Sequence, residues 1–524
     1  MQPPRLHLRI AALTGVAIVL LSVVTSVSGC RRAPADDDER VIRVWSHQGQ
    51  EAENRAMRAI AEAFNAAHAA RGIRVEIAFF PDFQYTEKLA IAAAARDLPD
   101  VFDMDGPLVA RLVDAGLLAP LDAWIDNATR ADFLPTLLEQ GTIDGKLYAL
   151  GAFDSAVVLY YDRELLARAG VIPPPPDSAG WTWDEFLAAC RRLRDAGIEP
   201  LALHMDDSSD EWFTYAFSPV VWSGGGTLIE TETTTGAEAG PAPAGHNARS
   251  RVRGVLASDA NVRSLQGWQQ LFTQNFAATD PVDPDPFGNG KVAMDWSGHW
   301  MARTHLERKG DRLGVMPLPR AGAKPAAPCG SWCWGISSHA RDPELAALWL
   351  RRVTDPRHGV EPIVRANGAV PGRRSAFAAF PEYETPPYSL FRRQLETTAQ
   401  ARPRTPFYAT LTQRFAAALR DISRGADVAA RLRQAEDEIQ RVIDRRGATR
   451  PLPKDPERSD AGEASALSER RSPDRCDEAL RASPFAVMHN DFPMPPLSAL
   501  KPGDASRRRS GPETAAPIRK EVRP

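Results

Sequence analysis

Segments with a strand pattern and segments with a helix pattern alternate over residues 41–116, and this alternation constrains the fold more than any other feature. In the helix segments apolar residues recur every three or four positions, whereas in the strand segments they alternate or run together. Strands and helices that alternate through short links are typical of a mostly parallel α/β sheet, which we therefore predict. The segments are, in order, 41–45, 51–68, 73–77, 85–96, 99–103 and 107–115, with Gly116 as the last stop signal.

Later segments also carry sequence signals for the start of a helix. Residues 182–185 (Thr-Trp-Asp-Glu) form a capping-box pattern that opens a helix. Asp342 followed by Pro343 places a capping carboxylate before a proline at the first helical position. Amphipathic patterns over 407–420 and 428–443 predict that the folded part ends in helices.

The N-terminus has the form of a bacterial export signal that ends at a lipidation motif. Two arginines precede an apolar run over 10–27, and Ser-Gly leads directly into Cys30. We expect residues 1–29 to be removed as a lipoprotein signal peptide, Cys30 to be lipidated, and 30–40 to form a solvated tether. The alternative is a transmembrane anchor, because the apolar run is barely long enough to span a bilayer. The mature protein is expected to be a soluble body tethered to the membrane outside the cytoplasm.

Length and net charge limit the number of domains and the kind of binding partner. A chain of 524 residues exceeds one ordinary core, so two or three domains are expected. A net charge of −3 and a pI near 6.4 leave no basic surplus, so no nucleic-acid partner is predicted.

Residues 230–250 lack apolar periodicity and predict a surface excursion. Residues 450–524 combine many prolines with mixed charges and few aromatic residues, which predicts a disordered tail.

Sequence signatures of catalysis, phosphate binding and metal binding are absent. The glycine run 224–226 lacks the lysine of a phosphate loop and indicates a turn or a close ligand approach. The acidic stretch 206–211 lacks calcium-loop spacing and indicates a solvated loop. Cys329 and Cys333 would form a disulfide bond if the backbone turned suitably, and the sequence does not decide between that bond and two free thiols. We predict no metal, no cofactor and no catalytic residue.

Tryptophans are placed repeatedly beside Gly, Ser, Asp or His rather than beside Leu or Val. A flat ring next to short polar groups suits a pyranose, whose C–H faces are apolar and whose rim carries hydroxyls. Core packing is the alternative interpretation for each of them, since a tryptophan buries a large apolar area. The tryptophans in question are Trp45, Trp212, Trp222, Trp296, Trp300, Trp332 and Trp334.

At this point an ordered set of motifs resembles a known family, the extracellular solute-binding proteins of bacterial ABC importers, in the branch that binds sugars. No single motif is diagnostic, but their order and spacing together are specific, and they run over residues 41–447. The excursion at 230–250 and the long tail depart from the family pattern. The motifs lie at 98–105, 114–122, 144–150, 158–162, 182–186, 290–294, 297–300, 314–319 and 401–404.

The resemblance implies two α/β lobes of the type II periplasmic-binding-protein architecture, joined by hinge crossovers, with a ligand cleft between them. It also implies capture of a carbohydrate by lobe closure, delivery to an ABC permease, no enzymatic activity and a monomer. The first lobe is expected to comprise 41–152 and 292–336, and the second 153–291 and 337–449. The ligand-binding residues that it implies are Trp45, His47, Asp105, Asp154, Trp212, Trp222, Trp296, Trp332, Trp334 and Arg373.

Two alternatives remain open from the residues. A secreted carbohydrate-active enzyme needs two carboxylates that flank one glycosidic bond, and Asp105 and Asp154 are the candidates for that role. A receptor of the same fold for another solute, such as glycerol phosphate, a peptide or a polyamine, needs an Arg/Lys cluster or an acidic aromatic cage. The mixed Trp, Asp and Arg candidates favour a neutral polyol.

Overall fold

A computed structural model describes residues 40–205, 209–232 and 249–449. Several segments discussed above lie outside the described residues. They are the expected signal peptide, Cys30, most of the tether, the tail 450–524, part of the acidic stretch and most of the excursion. Within the described part, no helix combines the length and apolar character needed to cross a bilayer.

The described strands and helices keep the predicted order. The strands are β1 Arg40–His47, β2 Ile73–Phe80, β3 Val101–Asp105, β4 Thr142–Ile143, β5 Lys146–Leu147, β6 Ala149–Leu150, β7 Phe153–Asp154, β8 Val157–Asp162, β9 Glu199–Ala202, β10 Glu230–Glu232, β11 Arg249–Arg251, β12 Val292–Gly298, β13 Leu313–Met316, β14 Ala327–Cys329, β15 Trp332–Ile336, β16 Val370–Pro371 and β17 Ala399–Ala401. The helices are α1 Glu51–His68, α2 Asp82–Ala94, α3 Val109–Asp114, α4 Asn127–Asp132, α5 Pro135–Gly141, α6 Arg163–Arg168, α7 Trp183–Asp195, α8 Asp210–Ser223, α9 Asp259–Thr273, α10 Ala302–Lys309, α11 Pro343–Val353, α12 Glu361–Asn367, α13 Tyr388–Thr397, α14 Tyr408–Ser423 and α15 Val428–Thr449.

The first sheet has the strand order β2-β1-β3-β15-β6 and defines the first lobe. Strand β1 pairs in parallel with both β2 and β3, as the strand–helix alternation predicts, and β15 adds to β3 antiparallel. Helix α1 buries Met57, Ile60 and Phe64 against this sheet. Helix α11 starts as predicted, with the Asp342 carboxylate accepting the backbone N–H of Leu345 at 3.1 Å.

The second sheet has the order β13-β8-β12-β9 and defines the second lobe. Alternate residues of β8 enter different apolar cores: Leu159 and Tyr161 face one core and Val158 and Tyr160 the other, as period-2 side-chain geometry requires. Helices α7, α8, α9, α14 and α15 cover the first of these faces. The predicted capping box of α7 is present in both halves. The α/β two-lobe architecture is therefore confirmed.

The strand pairing groups some segments differently from the expected lobe boundaries, which stay a prediction. The expectation assigned 292–336 to the first lobe, but β12 and β13 occupy the two edges of β8 in the second sheet. Only β15 from that stretch joins the first sheet. Helix α11 in turn packs on the first sheet, whereas the expectation placed it in the second lobe. The register of hydrogen bonds, which is set by partners far away in the chain, decides this grouping.

The chain passes between the two sheets at three crossovers: residues 153–156, 317–326 and 402–407. Short pairs of strands brace them, because β14 pairs with β17 and β7 pairs with β16. The three connections bring residues from distant parts of the sequence to one place between the lobes.

Two smaller expectations are settled by local geometry. In the glycine run 224–226, Gly225 has φ +84° and a Cβ on Gly226 would collide with the Asn261 side chain, so the run is a tight turn packed on a helix. The buried cysteines Cys329 and Cys333 are free thiols, so no disulfide joins them.

Candidate ligand site between the lobes

The carboxyl ends of β1 and β3 form one wall of the candidate site. Strand β1 has β2 on one side and β3 on the other, so successive strands are added to opposite sides of β1 and the strand order reverses there. In open α/β sheets the crevice at such a switch point is where ligands bind. His47 ends β1 and Asp105 ends β3, and both were predicted site residues.

A buried carboxylate fixes His47 at the end of β1. Asp103 accepts the His47 backbone N–H at 2.9 Å, the Ser46 hydroxyl at 3.0 Å and lies 2.6 Å from His47 Nδ1. The His47 ring then stacks on Trp332, with ring centroids 3.8 Å apart and an interplanar angle of 6°. Trp332 is half-buried and is the cross-strand partner of Asp105 in the β3–β15 register. Side chains of directly paired residues lie on one face of a sheet, so these groups form one surface.

The second lobe supplies an aromatic cluster. Trp212 donates its Nε1–H to the carbonyl of Leu203 at 3.2 Å and meets the Trp300 ring edge to face at 6.1 Å. Tyr215 lies one turn further along α8, with its ring 6.4 Å from that of Trp300. Trp300 folds back over Gly298, where a Cβ would collide with its ring. Glycine at this position therefore lets the half-buried indole lie flat at the end of β12.

Arg402, in the third crossover, joins the two walls. Its guanidinium binds Asp105 with two nitrogens, at 2.8 and 2.6 Å, and also binds Glu211 at the start of α8. Its Cζ lies 4.9 Å from the centroid of the Tyr215 ring. Burial raises the pKa of the Glu211 carboxyl, and the carboxylates of Asp105 and Glu211 raise the pKa of Arg402 despite its desolvation. We call these residues the interlobe set: His47, Asp105, Glu211, Trp212, Tyr215, Trp300, Trp332 and Arg402.

Asp154 lies at the first crossover but is engaged structurally. It is completely buried, and its carboxylate accepts the Thr136 hydroxyl and the backbone N–H groups of Ser155 (2.8 Å) and Gly330 (2.9 Å). Burial nevertheless raises its pKa to about 6. The contacts tie the first crossover to the segment between β14 and β15. These contacts are those of a structural residue at the crossover, and a ligand contact for Asp154 stays a prediction.

Three further predicted residues lie in structural positions. Trp296 is fully buried, donates its Nε1–H to the carbonyl of Ala216 at 3.1 Å and packs in the second-lobe core. Trp334 is buried in the other core. Arg373 is buried over the Phe133 ring and binds Asp132 at 2.7 Å. That these three residues contact a ligand stays a prediction, to which their burial lends no support.

The remaining two predicted residues, Trp45 and Trp222, are half-buried, and only Trp222 lines a cavity together with a member of the interlobe set, Arg402. Trp45 packs against Phe80 in the first lobe, with centroids 4.9 Å apart. Trp222, at the end of α8, lines a cavity of about 270 Å³ whose walls come from both lobes and from residues 400–404. Of the predicted site residues, the structure brings His47, Asp105 and Trp332 together. Arg402 links Asp105 to Glu211, the chain neighbour of Trp212.

Sequence reasoning missed Glu211, Tyr215 and Arg402 and left Trp300 among the unassigned tryptophans. Residues 401–404 were noted as a motif without an assigned role, and the signal available for Trp300 was its place after Gly298 in 297–300. Glu211 and Tyr215 gave no separate signal, because their roles depend on Arg402, which is distant in the chain. Across the described residues, no cluster of three or more His, Cys, Asp or Glu side chains is arranged to hold a metal ion.

Comparisons with known proteins agree with this architecture. A family model described as bacterial extracellular solute-binding protein matches residues 48–358, more than half of the chain. A Brucella abortus protein named for binding without a stated ligand is 28% identical over 124 residues, which are 24% of this chain and 29% of that protein. The match thus spans less than a third of that relative. The maltodextrin-binding protein MdxE of Bacillus subtilis is 26% identical over 272 residues, 51% of this chain and 59% of that protein.

A solved structure extends the comparison to nearly the whole described part. The GacH receptor of Streptomyces glaucescens, whose crystal structures include complexes with acarbose and an acarbose homolog, is similar with a TM-score of 0.63 at 22% identity. The similarity covers 78% of this chain and 99% of that chain. At this level of identity the two chains share a fold.

Proposed function

This chain belongs to the bacterial extracellular solute-binding protein family, and from that membership we propose that it captures a neutral carbohydrate between its two lobes and delivers it to the permease of an ABC importer. Ligand binds both walls only when the lobes close, so binding shifts the equilibrium between open and closed arrangements. The names of the relatives, which specify maltodextrin binding and complexes with acarbose, support a carbohydrate as the ligand class.

The observation that carries the proposal is the aromatic and hydrogen-bonding character of both walls. The first wall offers the Trp332 ring, stacked on His47, beside the Asp105 carboxylate. The second wall offers the ring of half-buried Trp300, which buried Trp212 supports edge to face. Indole faces supply apolar contact for the C–H faces of a sugar ring, and the carboxylate accepts hydrogen bonds from its hydroxyls.

The charges of the interlobe set favour a neutral ligand over an anionic one. The guanidinium of Arg402 is matched by Asp105 and Glu211, and His47 is matched by Asp103. A phosphate group needs donors that are not already engaged by carboxylates. A phosphorylated solute such as glycerol phosphate would therefore meet a surface whose cations are paired.

We propose that the site performs no glycoside hydrolysis. That reaction needs two carboxyl groups that flank the scissile bond, one of which donates a proton. Asp154 is completely buried with three donors on its oxygens, and Asp105 is held by two nitrogens of Arg402. Asp154 is thus engaged inside the fold, which leaves the partly exposed Asp105 without an accessible second carboxyl group from this pair.

We further propose that Cys30 anchors the protein to the membrane through lipid and that the receptor works as a monomer. The support for the anchor is the motif before Cys30 together with the extracellular character of the family. The intact mass of the exported protein tests lipidation directly, because a Cys30→Ala variant should lose the acyl mass and appear in the soluble fraction. Sedimentation of that variant tests the monomer.

The experiment that tests the function is titration calorimetry of the unlipidated full chain against three groups of solutes. Neutral oligosaccharides of the maltodextrin type are expected to bind, and glycerol 3-phosphate and polyamines are expected not to bind. The same oligosaccharides should be recovered unhydrolysed after incubation. Binding of the phosphate or the polyamine alone would overturn the proposed ligand class, and release of shorter sugars would overturn the assignment as a receptor.

A further inference from the structure

Arg402 is the one member of the interlobe set that binds carboxylates of both lobes. On the first-lobe side it forms a two-nitrogen pair with Asp105 at the end of β3. On the second-lobe side it binds Glu211 and lies over the Tyr215 ring. The Arg402 side chain is almost fully buried, whereas Asp105 and Glu211 retain partial exposure.

The two carboxylates are held independently of each other. Glu211 accepts the hydroxyl of Tyr408 and is approached by the Thr412 hydroxyl at 3.4 Å, and both of these residues belong to α14 of the second lobe. Asp105 belongs to the first sheet. If the lobes separate, Glu211 keeps its partners on α14 and Arg402 keeps the two-nitrogen pair with Asp105. The bond between Arg402 and Glu211 is then an ionic contact that opening breaks at the site itself. Another ion pair between the lobes, Arg446 of α15 with Asp114 of α3, lies outside the interlobe set.

We propose that the Arg402–Glu211 ion pair is an ionic latch that sets how often the unliganded protein is closed. This inference rests on the proposed lobe closure. A charge-assisted hydrogen bond that exists in only one of two states shifts their ratio by about tenfold. The latch raises affinity by populating the binding-competent arrangement before ligand arrives, and it slows release by the same free energy.

The chain offers a matched control beside the latch. Asp210 is the neighbour of Glu211 in α8, and it pairs with Arg420 of α14 at 2.6 Å. That ion pair lies wholly within the second lobe, so opening leaves it intact. Glu211→Gln and Asp210→Asn remove one negative charge each from adjacent positions, but only the first weakens a contact between the lobes.

The test measures the distance between the lobes without ligand. Nitroxide labels are attached at Ile91→Cys on the first lobe and Ile172→Cys on the second, both highly exposed, in a full chain with Cys30→Ser and Cys476→Ser. Pulsed electron–electron double resonance then gives the distribution of distances between the two nitroxides. We expect a short-distance population in the parent that falls about tenfold in Glu211→Gln and is unchanged in Asp210→Asn.

Other outcomes overturn the latch. A Glu211→Gln distribution identical to the parent, or a parent with no short-distance population, contradicts it. If circular dichroism shows that Glu211→Gln has a lower melting temperature than the parent, the distance measurement is repeated with the Arg402→Lys variant. A single ammonium cannot hold both carboxylates as the planar guanidinium does. An unchanged distribution in Arg402→Lys contradicts the latch equally. Because no sugar is present, a failed latch is distinct from a failed ligand assignment, which the calorimetric titration decides.

Discussion

The rings of His47 and Trp332 lie face to face, with centroids 3.8 Å apart and planes inclined by 6°. His47 ends β1, the first described strand, and Trp332 begins β15, the last described strand to join the same sheet. The buried Asp103 fixes the histidine, and the histidine fixes the indole. The orientation of the Trp332 ring thus depends on a buried carboxylate.

Replacing Trp332 by alanine is expected to remove most of the binding while leaving the fold intact. The side chain is half-buried and one face is covered by His47, so its loss opens no sealed cavity. We expect the affinity for a neutral oligosaccharide to fall by about thirtyfold or more, as for tryptophans central to an interface. Calorimetry and thermal melting measure the two effects. Trp124→Ala, at a half-buried tryptophan bound to Glu344, is the control and should bind normally.

Asp103→Asn is expected to weaken both stability and binding. The carboxylate accepts from three donors, whereas an amide offers one acceptor oxygen and turns its NH₂ toward groups that also donate. An unsatisfied buried donor costs about 1–3 kcal/mol. Urea unfolding should show this loss, and the affinity should fall because His47 no longer fixes Trp332. Asp97→Asn, at an exposed ion pair with Arg43, should leave both unchanged.

Trp296→Ala is expected to destabilise the protein by about 3–5 kcal/mol, the usual cost of deleting a large aromatic side chain from a core. The ring is fully buried against Phe217, and its Nε1–H binds a backbone carbonyl. Denaturant unfolding of the variant measures the loss. A Trp296→Ala variant with parental stability but no sugar binding would return this residue to the ligand site.

Asp154 is expected to make stability depend on pH between about 4 and 6. Burial raises its pKa from 3.8 to about 6, so the folded state binds this proton more tightly than the unfolded chain. Its contribution is fully present below pH 3.8 and is lost as the pH rises through 6. At about 1.4 kcal/mol per unit the difference is at most about 3 kcal/mol.

The variant Asp154→Asn isolates this effect. The amide oxygen accepts the N–H groups of Ser155 and Gly330, and the amide NH₂ reaches the Thr136 oxygen, so the contacts survive in neutral form. Urea unfolding at pH 4.5 and pH 7 should give a smaller difference for the variant than for the parent. Equal pH dependence in the two proteins would contradict the assignment.

The sequence predicted local structure well because local signals determine it. The strand–helix alternation, the Thr182–Glu185 capping box and the Asp342 cap are all patterns within a few residues, and each is confirmed. The lobe boundaries have no such local signal, since β12 and β13 reach the edges of β8 through hydrogen bonds to distant residues.

The site was predicted only in part, for a similar reason. Polar neighbours suggested a ligand role for Trp296, but they do not tell which face of β12 its ring occupies. Asp154 receives donors from Thr136 and Gly330, which no local pattern connects to it. Arg402 acts between two carboxylates that lie far from it in sequence, so its role is visible only in the folded chain.

The most direct test of the account measures lobe closure and ligand class together. The doubly labelled chain, with probes at positions 91 and 172, is titrated with a maltodextrin-type oligosaccharide and, separately, with glycerol 3-phosphate. We expect the neutral sugar at saturation to shift the whole distance distribution to its shortest component, whereas the phosphate leaves the distribution unchanged. A distribution that is the same with and without every neutral sugar, in a folded protein, would contradict it.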